Sequence, residues 1–208
     1  MRLPKESALI AAARQGDLEA FNRLVLAYQD EVYALAYRML GDPDAAADAT
    51  QETFLSAFRH LKRFRGGSFR GWLLRIATNA CYDELRRRGR RPQVPLEGTD
   101  DEEMASDARP WMADRNPNAS PEAVLLRREL RAALEACIGR LAPKMRAVLL
   151  LVDVHGLDYA EAATSLGLPL GTVKSRLARA RAAMRQCLGQ FAELLPILYR
   201  PKSDEAHR

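Results

Sequence analysis

The sequence predicts an all-α fold of two small helical domains joined by an extended acidic linker. Apolar residues recur at helical spacing over residues 6–88 and again from residue 122, whereas residues 89–121 lack this periodicity. Apolar residues make up 48% of the 208 positions but aromatic ones only 7%, and a core of Ala, Leu and Val favours helices over sheets. We therefore expect domains at residues 1–91 and 122–190, a linker at 92–121 and a tail at 191–208.

The first domain is divided by two glycine-containing breaks, GDP at residues 41–43 and GGS at residues 66–68. They leave four predicted helices, at about residues 6–15, 17–40, 44–63 and 69–88. The third helix carries one apolar stripe, made of Phe54, Leu55, Phe58 and Leu61. Such a stripe predicts the helix face that packs on the core.

The linker is recognised by its composition. Residues 92–121 hold five prolines, and six acids with no base lie between Glu97 and Asp107. A segment like this cannot bury enough apolar surface to offset the loss of chain entropy, so it is predicted to be extended. The residues just before it, 86–91, hold five arginines and no acid. Charge is therefore segregated along the chain, which is typical of segregated functions.

The second domain begins at Ser120 and Pro121, a plausible N-cap followed by a proline at the first helical position. Helical spacing then runs to Leu141, and a further helix extends from Pro143 to Val154. Two short helices follow at residues 158–166 and 170–190, separated by the turn GLP. Two helices joined by a short glycine-containing turn form the helix-turn-helix pattern.

The last helix has the residues of a nucleic-acid surface. Residues 168–185 read LPLGTVKSRLARARAAMR, with five bases and no acid. At about 100° per residue, the face expected to pack on the domain holds Val173, Leu177, Ala180 and Met184. The opposite crest holds Thr172, Ser175, Ala178, Arg179 and Ala182, flanked by Lys174, Arg176, Arg181 and Arg185. Small crest residues between basic flanks suit the DNA major groove, although a solvated basic face is the alternative.

Two more surfaces in the first domain have the composition of binding sites. Basic residues alternate with aromatic ones around the second break, and the set comprises Arg59, His60, Lys62, Arg63, Phe64, Arg65, Phe69, Arg70, Trp72, Arg75 and Asn79. This mixture resembles single-strand binding surfaces, although most of the aromatic residues should belong to the core. Asp48, Gln51 and Glu52 form an acidic helix face, which is either simply solvated or a protein-docking surface.

Other functional classes find no support in the sequence. It has no GxxxxGK[ST], HExxH or GxSxG motif, so we expect no enzymatic activity, no metal and no cofactor. Cys81, Cys137 and Cys187 form no CxxC pair, which favours a cytoplasmic protein with reduced cysteines, Cys137 and Cys187 being core residues. No segment approaches 18 uninterrupted apolar residues, so membrane insertion is not expected.

Three stretches together resemble the extracytoplasmic-function sigma factors, the small two-domain members of the bacterial sigma-70 family. The first is GDLEAFNRLVLAYQDEVYALAYRML, and the second begins DPDAAADATQETFL and continues through SAFRHLKRFRGGSFRGWLLRIATNACYDELRRR. The third is LRAALEACIGRLAPKMRAVLLLVDVHGLDYAEAATSLGLPLGTVKSRLARAR. The resemblance covers about residues 8–91 and 122–188.

The resemblance implies a subunit that binds bacterial core RNA polymerase and promoter DNA, controlled by an anti-sigma factor. Asp48, Gln51 and Glu52 match the family's polymerase-docking positions. The positions that match the −10 element region are Arg63, Phe64, Arg65, Ser68, Phe69, Trp72, Arg75 and Asn79. Lys174, Ser175 and Arg179 match the recognition positions for the −35 element, and the candidate −35 surface also includes Thr172, Arg176 and Arg181. The linker would occupy the polymerase channel, where its acids could stand in for nucleic-acid charge.

Two other functions remain open at this point. An autonomous helix-turn-helix regulator would need a dimer to read paired half-sites, and the sequence has no heptad seam. A protein-interaction or RNA-binding protein would bind its partner through the five arginines of residues 86–91, and its last domain would have only a structural role.

Overall fold

The computed structural model describes residues 6–90 and 120–194, and every regular element within these ranges is helical. The predicted all-α fold is therefore confirmed. The predicted linker lies outside the described residues except for its last two positions, and the predicted tail is described only to residue 194.

The first helical unit consists of four helices. They are α1 (Glu6–Arg14), α2 (Leu18–Leu40), α3 (Pro43–His60) and α4 (Phe69–Arg90). Asp17 and Asp42 accept hydrogen bonds from the backbone N–H groups of Ala20 and Ala45, at 3.0 and 2.9 Å, and so cap α2 and α3. Gly41 ends α2 at φ +71°, a conformation that glycine adopts without strain. A 3-10 turn, Leu61–Arg63, follows α3.

The face that α3 buries differs from the predicted one. Leu61 is buried as expected, but Leu55 and Phe58 are 44% and 41% exposed, so the predicted apolar stripe is wrong at these two positions. The buried residues of α3 are instead small ones, Ala45, Ala46, Ala49, Thr53 and Ala57. Small side chains let α3 approach α2 and α4 closely, and this arrangement turns the larger side chains outward.

The second helical unit also has four helices. They are α5 (Pro121–Arg140), α6 (Pro143–Leu149), α7 (Tyr159–Leu166) and α8 (Leu170–Gly189). Beyond α6 the chain continues as a wider π-helical turn, Leu150–Val154. Asp158 and Glu161 form a capping box at the start of α7, and Gly167 ends α7 at φ +62°. Helices α7 and α8 thus form the predicted helix-turn-helix.

The cysteines depart from the prediction. Cys137 of α5 and Cys187 of α8 are joined by a disulfide with their Cα atoms 5.7 Å apart, so the expectation that both are reduced is wrong. Both lie on inward-facing sides of their helices, and the packing of α5 on α8 brings together residues that are 50 positions apart in the sequence. Cys81 is a free thiol, as expected, and it is buried.

The two units pack directly on each other. Arg146 of α6 donates from Nη1 to the Met39 carbonyl oxygen at 2.7 Å, at the C-terminal end of α2. Its Nη2 donates to the carbonyl oxygens of Leu141, at 3.0 Å, and of Gly139. One guanidinium therefore satisfies carbonyl groups at the ends of two helices, α2 and α5. Arg38 of α2 also pairs with Glu135 of α5 at 2.9 Å.

The capping box predicts a measurable contribution to stability. Replacing Asp158 with Ala removes the acceptor for the Glu161 backbone N–H, 2.8 Å away, and should cost about 0.5–2 kcal/mol of unfolding free energy. Urea denaturation followed by circular dichroism measures this loss. Asp158→Asn is the matched control, because Asn caps helices about as well as Asp. Equal stability of the Ala and Asn variants would contradict the role given to the cap.

Candidate nucleic-acid interface

Helix α8 presents the faces that its sequence predicts. Val173, Leu177, Ala180 and Met184 are buried against the rest of the unit, as expected. On the outer side, Lys174, Ser175 and Arg179 are exposed and Thr172 is half-buried. The crest is narrow because the intervening positions 178 and 182 are alanines. Its small side chains leave room for a base edge to approach the backbone of α8.

Two further basic residues of α8, Arg181 and Arg176, are less available than Arg179. Arg181 forms a bidentate pair with Asp153, with N–O distances of 2.9 and 2.6 Å. Hydrogen bonding to this carboxylate raises the pKa of Arg181 above its usual value. Arg176 is half-buried and lies within electrostatic reach of Tyr82 of α4, where burial raises the pKa of the phenol and the Arg176 charge opposes that rise.

The loop between α3 and α4 projects a basic surface. Arg63 and Arg65 are exposed, and the chain turns at Gly66 and Gly67 with φ of +96° and +88°. A Cβ atom disfavours this backbone conformation, so the two glycines are needed here. Ser68 accepts a hydrogen bond from the Gly71 backbone N–H at 3.0 Å and so caps α4. The loop is therefore held at both ends while its basic residues face outward.

An aromatic cluster supports this loop from below. Phe64, Phe69 and Trp72 have ring centroids 5.3–5.6 Å apart. Phe64 and Phe69 are buried, whereas Trp72 is half-buried. Arg75 and Asn79 are exposed on the following turns of α4. The two phenylalanines thus hold the shape of the loop, and the surface left for a ligand consists of Trp72 and polar residues.

Helix α7 of the second unit lies over this same loop. A cleft of about 400 Å³ separates them, lined on one side by Arg63, Phe64, Arg65, Gly66, Ser68, Gly71, Trp72 and Arg75. Its other side is lined by Ala160, Glu161, Thr164 and Ser165 of α7. Ser165 is buried, and its hydroxyl donates to the Gly71 carbonyl oxygen at 3.4 Å. The structure thus brings the predicted −10 region against the helix-turn-helix.

A charge cluster beside this cleft was not anticipated from the sequence. Glu31 of α2 forms a bidentate pair with Arg70 of α4, and its Oε1 lies 3.1 Å from Nδ1 of the buried His155. Burial alone would raise the pKa of Glu31, but its hydrogen bonds with His155 and Arg70 outweigh burial and lower the pKa to about 2. The π-helical turn before His155 directs the imidazole toward α2. No local sequence pattern indicates this direction, so the contact with Glu31 could not be predicted.

The acidic face of α3 combines charge with apolar surface. Asp48, Gln51 and Glu52 are all exposed, and Leu55 lies one turn beyond them on the same face. A shallow cleft of about 260 Å³ runs beside this face, lined by Ala45, Asp48, Ala49, Glu52, Ala80, Asp83, Glu84 and Arg87. Exposed Leu55 is the residue that sequence reasoning assigned to the core, and it gives the face an apolar contact for a protein partner.

Within residues 6–90 and 120–194, no three His, Cys, Asp or Glu side chains converge as metal ligands would. No helix there is long and apolar enough to span a bilayer.

Comparison with known proteins identifies two matching family models and several relatives. Sigma-70 region 2 matches residues 24–91, and Sigma-70 region 4 matches residues 131–184. The chain is 39% identical to the ECF RNA polymerase sigma factor SigE of Mycolicibacterium smegmatis, over 88% of this chain and 66% of that protein. It is 38% identical to the RNA polymerase sigma-H factor of Pseudomonas aeruginosa, over 88% and 94%. The ECF RNA polymerase sigma-E factor of Escherichia coli K12 is 35% identical, over 86% and 92%.

Two solved structures are similar as well. CnrH, in complex with the cytosolic domain of CnrY, has a TM-score of 0.58 and 27% identity, over 87% of this chain and 95% of CnrH. The sigma factor RpoE of Bartonella quintana, in complex with the anti-sigma factor NepR, has a TM-score of 0.57 and 22% identity, over 81% and 96%. The second likeness concerns the fold alone.

The low pKa of Glu31 predicts how the contact between the units depends on pH. Because the folded pKa is about 2 and the ordinary value is 4.5, the cluster stabilises the structure fully above pH 4.5 and loses this effect as the pH falls toward 2. The difference corresponds to about 3 kcal/mol. Urea unfolding of the wild type and of Glu31→Gln at several pH values from 7 to 3 should show the two stabilities converging as the pH falls.

Glu19→Gln is the matched control, since Glu19 lies on the same helix and its side chain is 79% exposed. This variant should follow the wild type at every pH. A stability difference between Glu31→Gln and wild type that stays constant from pH 7 to pH 3 would refute the assigned role of the carboxylate.

Proposed function

Because the chain belongs to the extracytoplasmic-function sigma factors of the sigma-70 family, we propose that it binds core RNA polymerase and directs it to promoters. The observation that carries this proposal is the presence of two separate exposed basic surfaces, one on each helical unit of one chain. The protein acts by binding and positioning rather than as an enzyme. It works in the cytoplasm, where promoter DNA and polymerase are found.

The division of labour follows the two units. Residues 1–91 dock on the polymerase and handle the −10 element, and residues 122–190 read the −35 element. The family matches at residues 24–91 and 131–184 support this division. Residues 92–121 are the connecting linker, and residues 191–208 form the tail.

Helix α8 is the proposed reader of the −35 element. Ser175 and Arg179 are exposed along its crest, with Thr172 and Lys174 beside them. Arg179 can form a bidentate contact with a guanine edge, whereas a short hydroxyl such as that of Ser175 accepts or donates to several bases. Arg176 and Arg181 are assigned to the phosphate backbone, which they reach once they leave their present neighbours Tyr82 and Asp153.

The loop before α4 is the proposed site of −10 capture. Arg63 and Arg65 attract the phosphates, and Trp72 supplies an aromatic face for an unstacked base. Arg75 and Asn79 extend the polar surface along α4, Ser68 holds the loop as its cap, and Phe64 and Phe69 support it. Extruding a base costs a few kcal/mol, which stacking and backbone contacts must offset.

The acidic face of α3 is the proposed docking site for core polymerase. Asp48, Gln51 and Glu52 would pair with basic or polar groups of the enzyme, and exposed Leu55 would supply apolar contact. An acidic surface of this kind does not bind DNA, so it separates the protein-binding side of the first unit from its nucleic-acid side.

The compact arrangement must open for the chain to read both elements together. Their names place them about 25 base pairs apart, or about 85 Å along the DNA axis at 3.4 Å per step. A compact chain of 208 residues has a radius of gyration of only about 17 Å. Residues 92–121 can span at most about 100 Å when extended, which is enough to let the units separate. The contact between α7 and the proposed −10 loop is therefore present in the free protein and absent when the chain is bound to both promoter elements.

An anti-sigma factor is the proposed protein regulator of the closed form. CnrH, a solved relative at 27% identity, forms a complex with the cytosolic domain of CnrY. This observation supports a regulatory partner of similar kind for the present chain.

Run-off transcription tests the function as a whole. Purified chain added to core RNA polymerase should produce transcripts from a small set of promoters in a genomic library, and should bind those promoters weakly without the polymerase. The alternative, an autonomous helix-turn-helix regulator, predicts tight specific binding to duplex DNA without polymerase and no stimulation of transcription.

Arg179 gives the sharpest test of −35 reading. Arg179→Ala should weaken promoter binding of the holoenzyme by about 1–3 kcal/mol and relax the preference for one base of the −35 element. Competition between promoters that differ only at that element measures both effects. Arg185→Ala, an exposed position on the flank of the same helix, should instead weaken all promoters about equally. If Arg179→Ala weakened binding to all promoters equally, Arg179 would contact only the phosphate backbone.

A further inference from the structure

The disulfide between Cys137 and Cys187 has no role in promoter recognition as described above. It joins the inward face of α5 to the last turn of α8, the helix with the proposed −35 crest nearer its other end. Intracellular disulfides are mostly transient and redox-responsive, because cellular thiols keep cysteines reduced. A disulfide between α5 and α8 of a protein that acts with RNA polymerase is therefore expected to be reversible.

We propose that Cys137 and Cys187 form a reversible dithiol–disulfide site, oxidised by low-molecular-weight disulfides of the glutathione class, and that oxidation fastens α5 to α8. The site adds a redox response to the −35 domain. It concerns the chain itself, so it stands whether or not the promoter-reading function is correct in detail.

The two cysteine sulfurs have different surroundings and therefore different roles in the exchange reaction. Cys137 is only 1% exposed, whereas Cys187 is half-buried and is the sulfur that a small disulfide reaches. Nη1 of Arg140 lies 3.7 Å from the Cys187 sulfur and also donates to Gln190 at 3.1 Å. A neighbouring cation favours the thiolate, which is the nucleophilic form. Cys187 is therefore the attacking thiol and Cys137 the resolving one.

The exchange proceeds in two balanced steps. The Cys187 thiolate attacks one sulfur of glutathione disulfide, forms a mixed disulfide and releases one glutathione thiolate. The Cys137 thiol loses its proton to solvent and attacks the Cys187 sulfur, which forms the internal disulfide and releases the second glutathione thiolate. Two protein thiols are oxidised while one glutathione disulfide is reduced to two thiols. Excess glutathione reverses both steps.

The effect on α5 follows from how few of its side chains are buried. Among its described side chains only Ala133, Cys137 and Ile138 are buried, and Leu125 and Leu126 are 58% and 47% exposed. Helices α6 and α8 pack on each other through buried residues of their own, such as Val148 and Leu177. Besides the bond, α5 has the pair between Glu135 and Arg38 and, at its C-terminal end, hydrogen bonds that involve Arg146 and Gln190. Reduction should therefore loosen α5 first.

Cys81 provides an internal control. It is buried in the first unit, and burial raises the pKa of its thiol to about 12. A thiol with such a pKa, shielded from solvent, exchanges very slowly. It should stay reduced under conditions that oxidise the other two cysteines.

A redox titration of the full chain tests the chemistry. The protein is equilibrated in buffers with different ratios of glutathione to glutathione disulfide, quenched in acid, unfolded and alkylated, and its peptides are weighed by mass spectrometry. Cys137 and Cys187 should lose alkylation together as the disulfide fraction rises, Cys81 should stay alkylated, and dithiothreitol should restore the pair. Continued alkylation of both across the series, or glutathione retained on Cys187 alone, would overturn the proposal.

Amide hydrogen exchange of the same samples tests the mechanical effect. Peptides from α5 should exchange about tenfold or more faster in the reduced protein than in the oxidised one, with smaller changes in α6 and α7. Cys187→Ser should match the reduced wild type in any buffer, and Cys81→Ser should respond as the wild type does. The wild type alone decides the outcome if a variant fails to fold. Equal exchange of α5 in both redox forms would overturn the fastening role.

Discussion

The Glu31 carboxylate ties the two helical units together, alongside the contacts that Arg146 and Arg38 make between them. It lies between Arg70 of its own unit and His155 of the other, and these partners keep it charged despite its burial. A partly buried carboxylate without partners would be costly, so the positions of α2, α4 and the turn before α7 are tied together. Because α7 begins just after His155, the same constraint brings the helix-turn-helix over the loop between α3 and α4.

The regular elements follow from local sequence signals, and so do the faces of α8. Asp17, Asp42 and Asp158 act as helix caps next to apolar periodicity, and each begins a helix where the pattern predicts one. The buried face of α8 agrees with the helical wheel from Val173 to Met184. These features depend on residues a few positions apart, and this is the range over which a single sequence carries information.

The features that could not be predicted from the sequence depend on contacts between distant segments. Glu31 and His155 are 124 residues apart, and the disulfide joins residues 50 apart, so neither pairing has a local pattern. The stripe with Leu55 and Phe58 is misleading for another reason. Alanines on α3 pack more closely than large side chains do, and the core therefore takes the small-residue face. Apolarity predicts that a residue can be buried, whereas the shape of its neighbours decides whether it is.

The packing of the two units on each other explains why the free chain is proposed to bind DNA weakly. The proposed −10 loop lies under α7, and Arg176 of the proposed −35 helix is within electrostatic reach of Tyr82 of α4, so each proposed DNA surface is partly occupied by the other unit. The acidic face with Asp48 and Glu52 stays exposed on α3 in the same arrangement. Polymerase can therefore bind the proposed docking face before the units rearrange. Its binding energy is then available to separate the units, because a ligand shifts a conformational equilibrium only by its preference for one state.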